Sequence, residues 1–255
     1  MQQIKSNAGI AISDFSMPYS IYPLCNYLHY GFLNESFVLY RSAGGALIAR
    51  YDDSLTICSQ KITKQDCIDL KSFIVNKKIR MLSGSKDTVA FFYSFFNDGV
   101  IENGYIASLS PLIKNEKNSI KCASTLEEYK NITNLVLNVN KTNISYYKYD
   151  QYLNQIYSRF KNNYCRNLYI KKGNEFIGHI ATYAESDSAA VLGGLVVRED
   201  YRGQGIAKQL FETILSILTK ENKESFLFCY NESLLSFYKR YSKETFPCSK
   251  VLYTF

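Results

Sequence analysis

In the second half of this chain the apolar positions change period several times, and each change marks an element. Leu126, Tyr129, Ile132 and Leu135 recur every third residue behind Ser124 and Thr125, which predicts an amphipathic helix with a hydroxyl cap. Tyr152, Ile156 and Phe160 form the stripe of a second helix over residues 149–160. Residues 167–170 and 176–185 are strand-like and flank Lys172-Gly173-Asn174, the signal of a hairpin. Residues 191–197 predict the next strand, and residues 205–220 a helix with Ile206, Leu210, Ile214 and Ile217 facing inward. A buried strand at 225–230 follows, then a helix from the cap Asn231 to about Tyr241, and a closing strand at 249–254. Residues 119–122 supply a short strand ahead of the first helix.

The first half repeats part of this order. Residues 37–41 and 46–50 alternate around Gly44-Gly45, a second hairpin signal. A strand at 55–58, a helix capped by Thr63 and running to Val75, a strand at 79–82, a helix at 87–96 and a strand at 105–109 complete it. After Pro111 the Lys/Asn-rich residues 113–118 are the natural linker.

The chemistry concentrates between the strand ending at Val197 and the helix beginning near Ile206. Glycines at the mouth of a helix leave backbone N–H groups uncovered, and the helix dipole adds partial positive charge there. Such a site suits a phosphate or pyrophosphate. The loop has no Gly-x-x-x-x-Gly-Lys-Ser/Thr, and Arg202-Gly203-Gln204-Gly205-Ile206-Ala207 lacks the third glycine of the dinucleotide fingerprint. It resembles instead the acetyl-CoA loop of the GNAT superfamily of N-acetyltransferases, Arg/Gln-x-x-Gly-x-Gly/Ala, with Arg202, Gly205 and Ala207 in the defined positions. The order β-α-α-β-β-β-α-β-α-β from residue 118 onward is similar to that fold. Asn231-Glu-Ser-Leu-Leu-Ser-Phe-Tyr238 resembles the family's Asn…Phe-Tyr segment, although Ser242-Lys243 stands where the family usually has Gly-Phe.

The resemblance implies an α/β (α+β) protein, a tandem GNAT-like fold in which helices flank a mixed central sheet and the C-terminal lobe is complete. The expected domains are residues 1–117, a degenerate lobe, and 118–255, the acetyltransferase lobe. Ser59-Gln-Lys-Ile-Thr-Lys64, where the first lobe's loop should fall, contains no glycine. An inactive lobe joined to an active one is similar to the glycine N-acyltransferase-like members of the superfamily.

The resemblance also assigns roles. Backbone N–H groups of Arg202, Gly203, Gln204, Gly205, Ile206 and Ala207 would hold the pyrophosphate of acetyl-CoA as co-substrate, and Lys208 would add charge. Leu195, Val196 and Val197 would run beside pantetheine, with Asn231 as a further contact. Tyr238 would protonate the leaving thiolate, since a phenol near pKa 10 is protonated at neutral pH. Strand alternation puts Ile177, His179, Ala181, Tyr183 and Glu185 on one face, and Glu185 is the carboxylate placed to act as general base. A water chain is the alternative base. His179 is read as a core or cleft histidine rather than a catalytic one.

Composition removes other classes. Seven widely spaced cysteines without a Cys-x-x-Cys pair, and two histidines, give no metal site and suit reduced thiols in the cytoplasm. No apolar run is long enough for a membrane span, and no secretory leader is evident. The net charge of +7 attracts anions, nucleic acid among them, but no nucleic-acid-binding motif accompanies it. Arg159, Lys161, Arg166, Lys171 and Lys172 are read as a solvated basic face. The expected activity is transfer of an acetyl group to the primary amine of a small molecule or amino acid by direct attack. The alternatives are a non-catalytic CoA-binding sensor or structural module, and an enzyme acting on protein amino termini or lysines.

Overall fold

The computed structural model describes residues 1–33, 35–114, 119–139 and 149–255, with the side chains of Glu232 and Ser233 left aside. The last four residues of the expected linker, 115–118, lie outside the described residues. Two compact units divide the chain, one of residues 1–109 with 227–255 and one of residues 110–226.

The first unit opens with β1 (Gln2–Gln3), α1 (Ile21–Tyr30), β2 (Phe37–Arg41), β3 (Leu47–Tyr51) and β4 (Ser54–Ile57). It continues through α2 (Lys64–Lys77), β5 (Met81–Ser85), α3 (Lys86–Phe96) and β6 (Val100–Leu109). The capping at Thr63 falls as expected, its hydroxyl accepting from the Asp66 N–H at 3.3 Å. α1 is an element that the periodicity did not predict. Pro23 interrupts its pattern, but a proline in a first helical turn removes no intrahelical hydrogen bond.

The second unit holds β7 (Ile120–Cys122), α4 (Leu126–Val139), α5 (Tyr149–Lys161), β8 (Asn167–Lys172), β9 (Glu175–Glu185), β10 (Ala189–Val197) and α6 (Ile206–Lys220). β11 (Glu224–Cys229) crosses the boundary, and α7 (Glu232–Lys239) and β12 (Ser242–Leu252) return to the first unit.

The division differs from a single cut at residue 117 because of β12. This strand lies antiparallel between β5 and β6, with Val251 opposite both Leu82 and Ile101. It begins at Ser242, well before the expected 249, because ten residues of β6 give it a long partner. The first unit's sheet is mixed: β4 and β5 are parallel and the other described pairs antiparallel. Leu70 and Ile74 of α2 and Phe92 of α3 pack with Leu55, Leu82 and Val251. Leu24 of α1 packs in a separate cluster with Leu39 and Leu47.

In the second unit β7, β8, β9 and β10 form an antiparallel run. Tyr129, Ile132 and Val136 of α4 and Tyr152 and Ile156 of α5 bury against Tyr169 and Val196, each full burial contributing about 1.5–3 kcal/mol. α6 packs on β9 at Gly178, where an added Cβ would lie 2.7 Å from Ile206 Cγ2 and 3.0 Å from Leu210 Cδ1. The missing side chain lets the head of α6 sit close to the sheet.

The basic run is divided: Lys161, Lys171 and Lys172 are exposed as expected, but the two arginines are not simply solvated. Arg159 is buried with its guanidinium 5.9 Å from the Tyr183 ring, and Arg166 is tied into an ion network.

Candidate active site

β10 feeds the glycine loop through a short 3-10 turn, Glu199–Tyr201. Arg198 fixes its entrance: the guanidinium donates to Asp200 at 2.9 and 2.5 Å and to Glu175 at 2.9 Å. Lys172 lies 5.3 Å from the Tyr201 ring centre. The Arg202 Nε–H donates to the Val197 carbonyl at 3.3 Å, folding the loop back on the strand end.

Gly203 and Gly205 have φ of +78° and +75°, a region that L side chains rarely adopt. An added Cβ at either position meets nothing within 4 Å, so their side would open onto free space. Gly205 is the N-cap of α6 and supplies no side-chain hydrogen bond, and the first turn carries no acidic residue. Ile206, Ala207 and Lys208 therefore begin a 15-residue helix whose first N–H groups lack side-chain cover. Arg202, Gln204 and Lys208 are exposed beside them. A helix head of this kind, positive and open, accepts an anion, and a pyrophosphate fits it.

Leu195, Val196 and Val197 end β10. Val196 is opposite His179 and Val197 opposite Gly178, but between Gly193 and Val196 the register slips. Residues 194 and 195 face a single residue of β9, which makes a bulge. Gly194 takes φ +63°, and at Gly193 an added Cβ would lie 2.4 Å from the Tyr183 ring. Both glycines are thus required locally, one by backbone conformation and one by the aromatic ring.

His179 is fully buried, with Nδ1 2.8 Å from the Gly194 carbonyl and Nε2 2.9 Å from Asn167 Oδ1. Burial pushes its pKa down to about 4, with the bond to Gly194 opposing, so the ring is neutral at physiological pH.

Glu185 departs from the expected face. A second register shift, opposite Val191 and Leu192, breaks the alternation of β9, and the carboxylate turns to the hydroxyl of Thr182 at 2.6 Å. It also accepts from Arg166 at 2.8 and 2.7 Å and from Lys223 at 2.7 Å. Burial alone would raise its pKa, but hydrogen bonds from Arg166, Lys223 and Thr182 outweigh that and hold it below the ordinary carboxylate value. A carboxylate so engaged has little affinity left for a proton.

Asn231 and Tyr238 belong to the first unit. Asn231 immediately precedes α7 and its carbonyl accepts from the Leu234 N–H at 3.1 Å. It lines a cavity with Lys86, Asn103, Tyr105, Tyr230 and Leu235. Tyr238 is half-buried, its ring 5.2 Å from that of Phe237. The Ser242 hydroxyl donates to the Tyr238 carbonyl at 3.0 Å, closing the helix end where the family usually has glycine.

Among the described residues no group of three or more His, Cys, Asp and Glu side chains is placed to hold a metal ion. No described helix is long and apolar enough to cross a membrane.

Residues 130–242 match the acetyltransferase (GNAT) family model. No curated protein matches the chain. A GCN5-related N-acetyltransferase from Kribbella flavida is similar in structure, with TM-score 0.60 at 11% identity over 86% of this chain and 91% of that one. A tandem GNAT protein from the clavulanic acid biosynthesis pathway has TM-score 0.54 at 10% identity, covering 98% and 97%. A functionally unknown conserved protein of Staphylococcus epidermidis ATCC 12228 has TM-score 0.55 at 11% identity, covering 96% and 98%. At such identities the likeness is one of fold.

Proposed function

We propose that the chain is an acyl-CoA-dependent N-acyltransferase using acetyl-CoA, a reading supported by the match of residues 130–242 to the GNAT acetyltransferase family model. The acceptor in this reading is the primary amine of a small molecule or amino acid, and the protein works in the cytoplasm. The observation that carries it is the uncapped, glycine-bearing head of α6 at the end of a bulged strand.

Acetyl-CoA supplies, when bound, an acyl group activated as a thioester, and the amine attacks it directly. The residues of the chain bind and orient. Backbone N–H groups from Arg202 to Ala207 hold the pyrophosphate, with Lys208 adding charge. Leu195, Val196 and Val197 offer backbone groups to pantetheine and to the oxyanion that develops during transfer. Asn231 and Tyr238 are assigned on the family resemblance alone, Asn231 to pantetheine and the Tyr238 hydroxyl to the proton that the leaving sulfur takes.

Glu185 was the candidate for accepting the proton of the amine. Its bonds to Arg166, Lys223 and Thr182 argue for a positioning role in the sheet, and we assign the proton to water instead. The two sequence halves, 1–117 and 118–255, are read as a degenerate lobe and an active one.

Calorimetric titration with acetyl-CoA tests the reading, comparing the intact chain with Gly205→Glu. The extra carboxylate would project into the space in front of α6, so binding by the intact chain should be lost in the variant. An intact chain that fails to bind would remove the acyltransferase reading altogether.

A further inference from the structure

Four elements of the second unit are tied together by one line of buried polar groups. Tyr129 on α4, Asn167 on β8, His179 on β9 and Gly194 on β10 succeed one another at 3.4, 2.9 and 2.8 Å. Tyr129, Asn167 and His179 are each no more than 1% exposed. Such a line must be satisfied donor by donor, since an unmatched polar group in the interior loses its bonds to water without replacement.

The direction of the line follows from its last member. Gly194 offers a carbonyl, which only accepts, so His179 donates Nδ1–H to it. A neutral imidazole then has Nε2 as an acceptor. As placed, Asn167 sets Oδ1 at Nε2 and Nδ2 at the Tyr129 hydroxyl. A neutral ring needs this amide turned over, its N–H donating to Nε2 and its oxygen accepting the Tyr129 O–H. Each link of the line then has one donor and one acceptor, at the expense of the 3.7 Å contact between Asn167 Nδ2 and Cys165 Sγ. The opposite amide orientation would require an imidazolium without a carboxylate partner in a fully buried place.

The end of the line is the bulge. In a trans peptide the C=O of one residue and the N–H of the next point in opposite directions. Holding the Gly194 carbonyl toward His179 therefore aims the Leu195 N–H away from it, at a position where β9 cannot pair with both residues of the bulge. Gly194, at φ +63°, has a backbone that would otherwise be free to rotate.

We propose that His179 is a positioning residue for acyl transfer, holding the Gly194–Leu195 peptide so that the Leu195 N–H faces the acyl oxygen. This rests on the cofactor reading above. Asn167 and Tyr129 fix the tautomer from behind, and through them α4 is linked to the bulge.

Nitrogen NMR on histidine-labelled protein tests the line directly. The chain has two histidines, so a His179 variant assigns the spectrum. The intact protein should show His179 as the neutral Nδ1–H tautomer at neutral pH. Asn167→Asp, which can only accept, should abolish that tautomer. The acyl role is read from the carbonyl signal of bound acetyl-CoA labelled with carbon-13. That signal should be shifted from its free position in the intact protein and return toward it in His179→Leu, with affinity for free coenzyme A retained. His179→Gln, which keeps an N–H donor, should restore part of the shift.

An Nε2–H tautomer or an imidazolium in the intact chain would overturn the proposal without any variant. So would an unchanged carbonyl signal in folded His179→Leu. An intact chain with the expected tautomer but no acetyl-CoA binding would defeat the cofactor reading and the acyl role together, and is told apart by the missing calorimetric signal.

Discussion

Arg166 meets Glu185 side-on, its Nε–H and Nη2–H donating to the two carboxylate oxygens at 2.8 and 2.7 Å. The same guanidinium reaches Glu221 at 2.7 and 2.9 Å, and Lys223 closes the group on Glu185. β8's entrance, the end of β9 and the chain just after α6 are thereby joined by charge rather than by apolar packing.

Glu185→Gln should therefore act on stability before it acts on chemistry. Glu185 is 6% exposed, and leaving Arg166 and Lys223 short of a partner should cost about 3 kcal/mol. The sign of the pH dependence follows from its depressed pKa. The stabilisation is complete above the unfolded carboxylate value and is lost as pH falls through the lower folded value. Denaturant unfolding of the two proteins should differ most at neutral pH and converge in acid. A variant as stable as the parent at neutral pH would show the network to be worth little.

Glu128 is the clearer acid-sensitive group. Its carboxylate accepts from the Ser124 and Thr125 N–H groups at 2.8 and 3.0 Å and from the Tyr169 hydroxyl at 2.5 Å. Burial opposes ionisation, but the bonds from Tyr169, Ser124 and Thr125 bring its pKa down to about 2. Glu128→Gln should cost about 1–2 kcal/mol at neutral pH through the lost cap. That cost should fade as pH drops from the ordinary carboxylate range, about 4.3, toward 2. Parallel unfolding curves at several pH values check it.

These two carboxylates also mark what was legible in the chain. The helix α4 was readable from Tyr129, Ile132 and Leu135, because local periodicity is written in neighbouring residues. So was the loop of Arg202 to Lys208, since glycines at a helix head have a local backbone reason. Glu185 was misplaced on its face because strict alternation ignores bulges, and a bulge is set by the partner strand. The place of β12 between β5 and β6 was beyond reach for the same reason: its register is fixed by residues more than a hundred positions away. The line from Tyr129 to Gly194 joins four separated segments, and only folding brings them together.

Gly178→Ala tests how the cofactor loop is held. The new Cβ would lie 2.7 Å from Ile206 Cγ2 and 3.0 Å from Leu210 Cδ1, so the first turn of α6 must give way. Overpacking of this size costs about 1–3 kcal/mol. Because Ile206 begins α6, the shift reaches the N–H groups assigned to the pyrophosphate. Weaker acetyl-CoA binding together with a lower melting temperature is expected from calorimetry and thermal unfolding. Unchanged affinity in a destabilised variant would separate the loop from the packing beneath it.

Tyr238→Phe separates an enzyme from a binding module. Removing one hydroxyl from a half-buried ring leaves its packing beside Phe237 intact. The phenol is assigned to the leaving sulfur, so its loss falls on the transition state and not on the bound complex. Turnover of an amine found by screening should drop by about a hundredfold or more, with acetyl-CoA affinity unchanged. Equal loss of affinity would place the hydroxyl in binding. Unchanged turnover would assign the proton to another donor, water included. A chain that binds acetyl-CoA through the loop but turns over no amine, with or without the hydroxyl, would be a coenzyme A sensor built on the same fold.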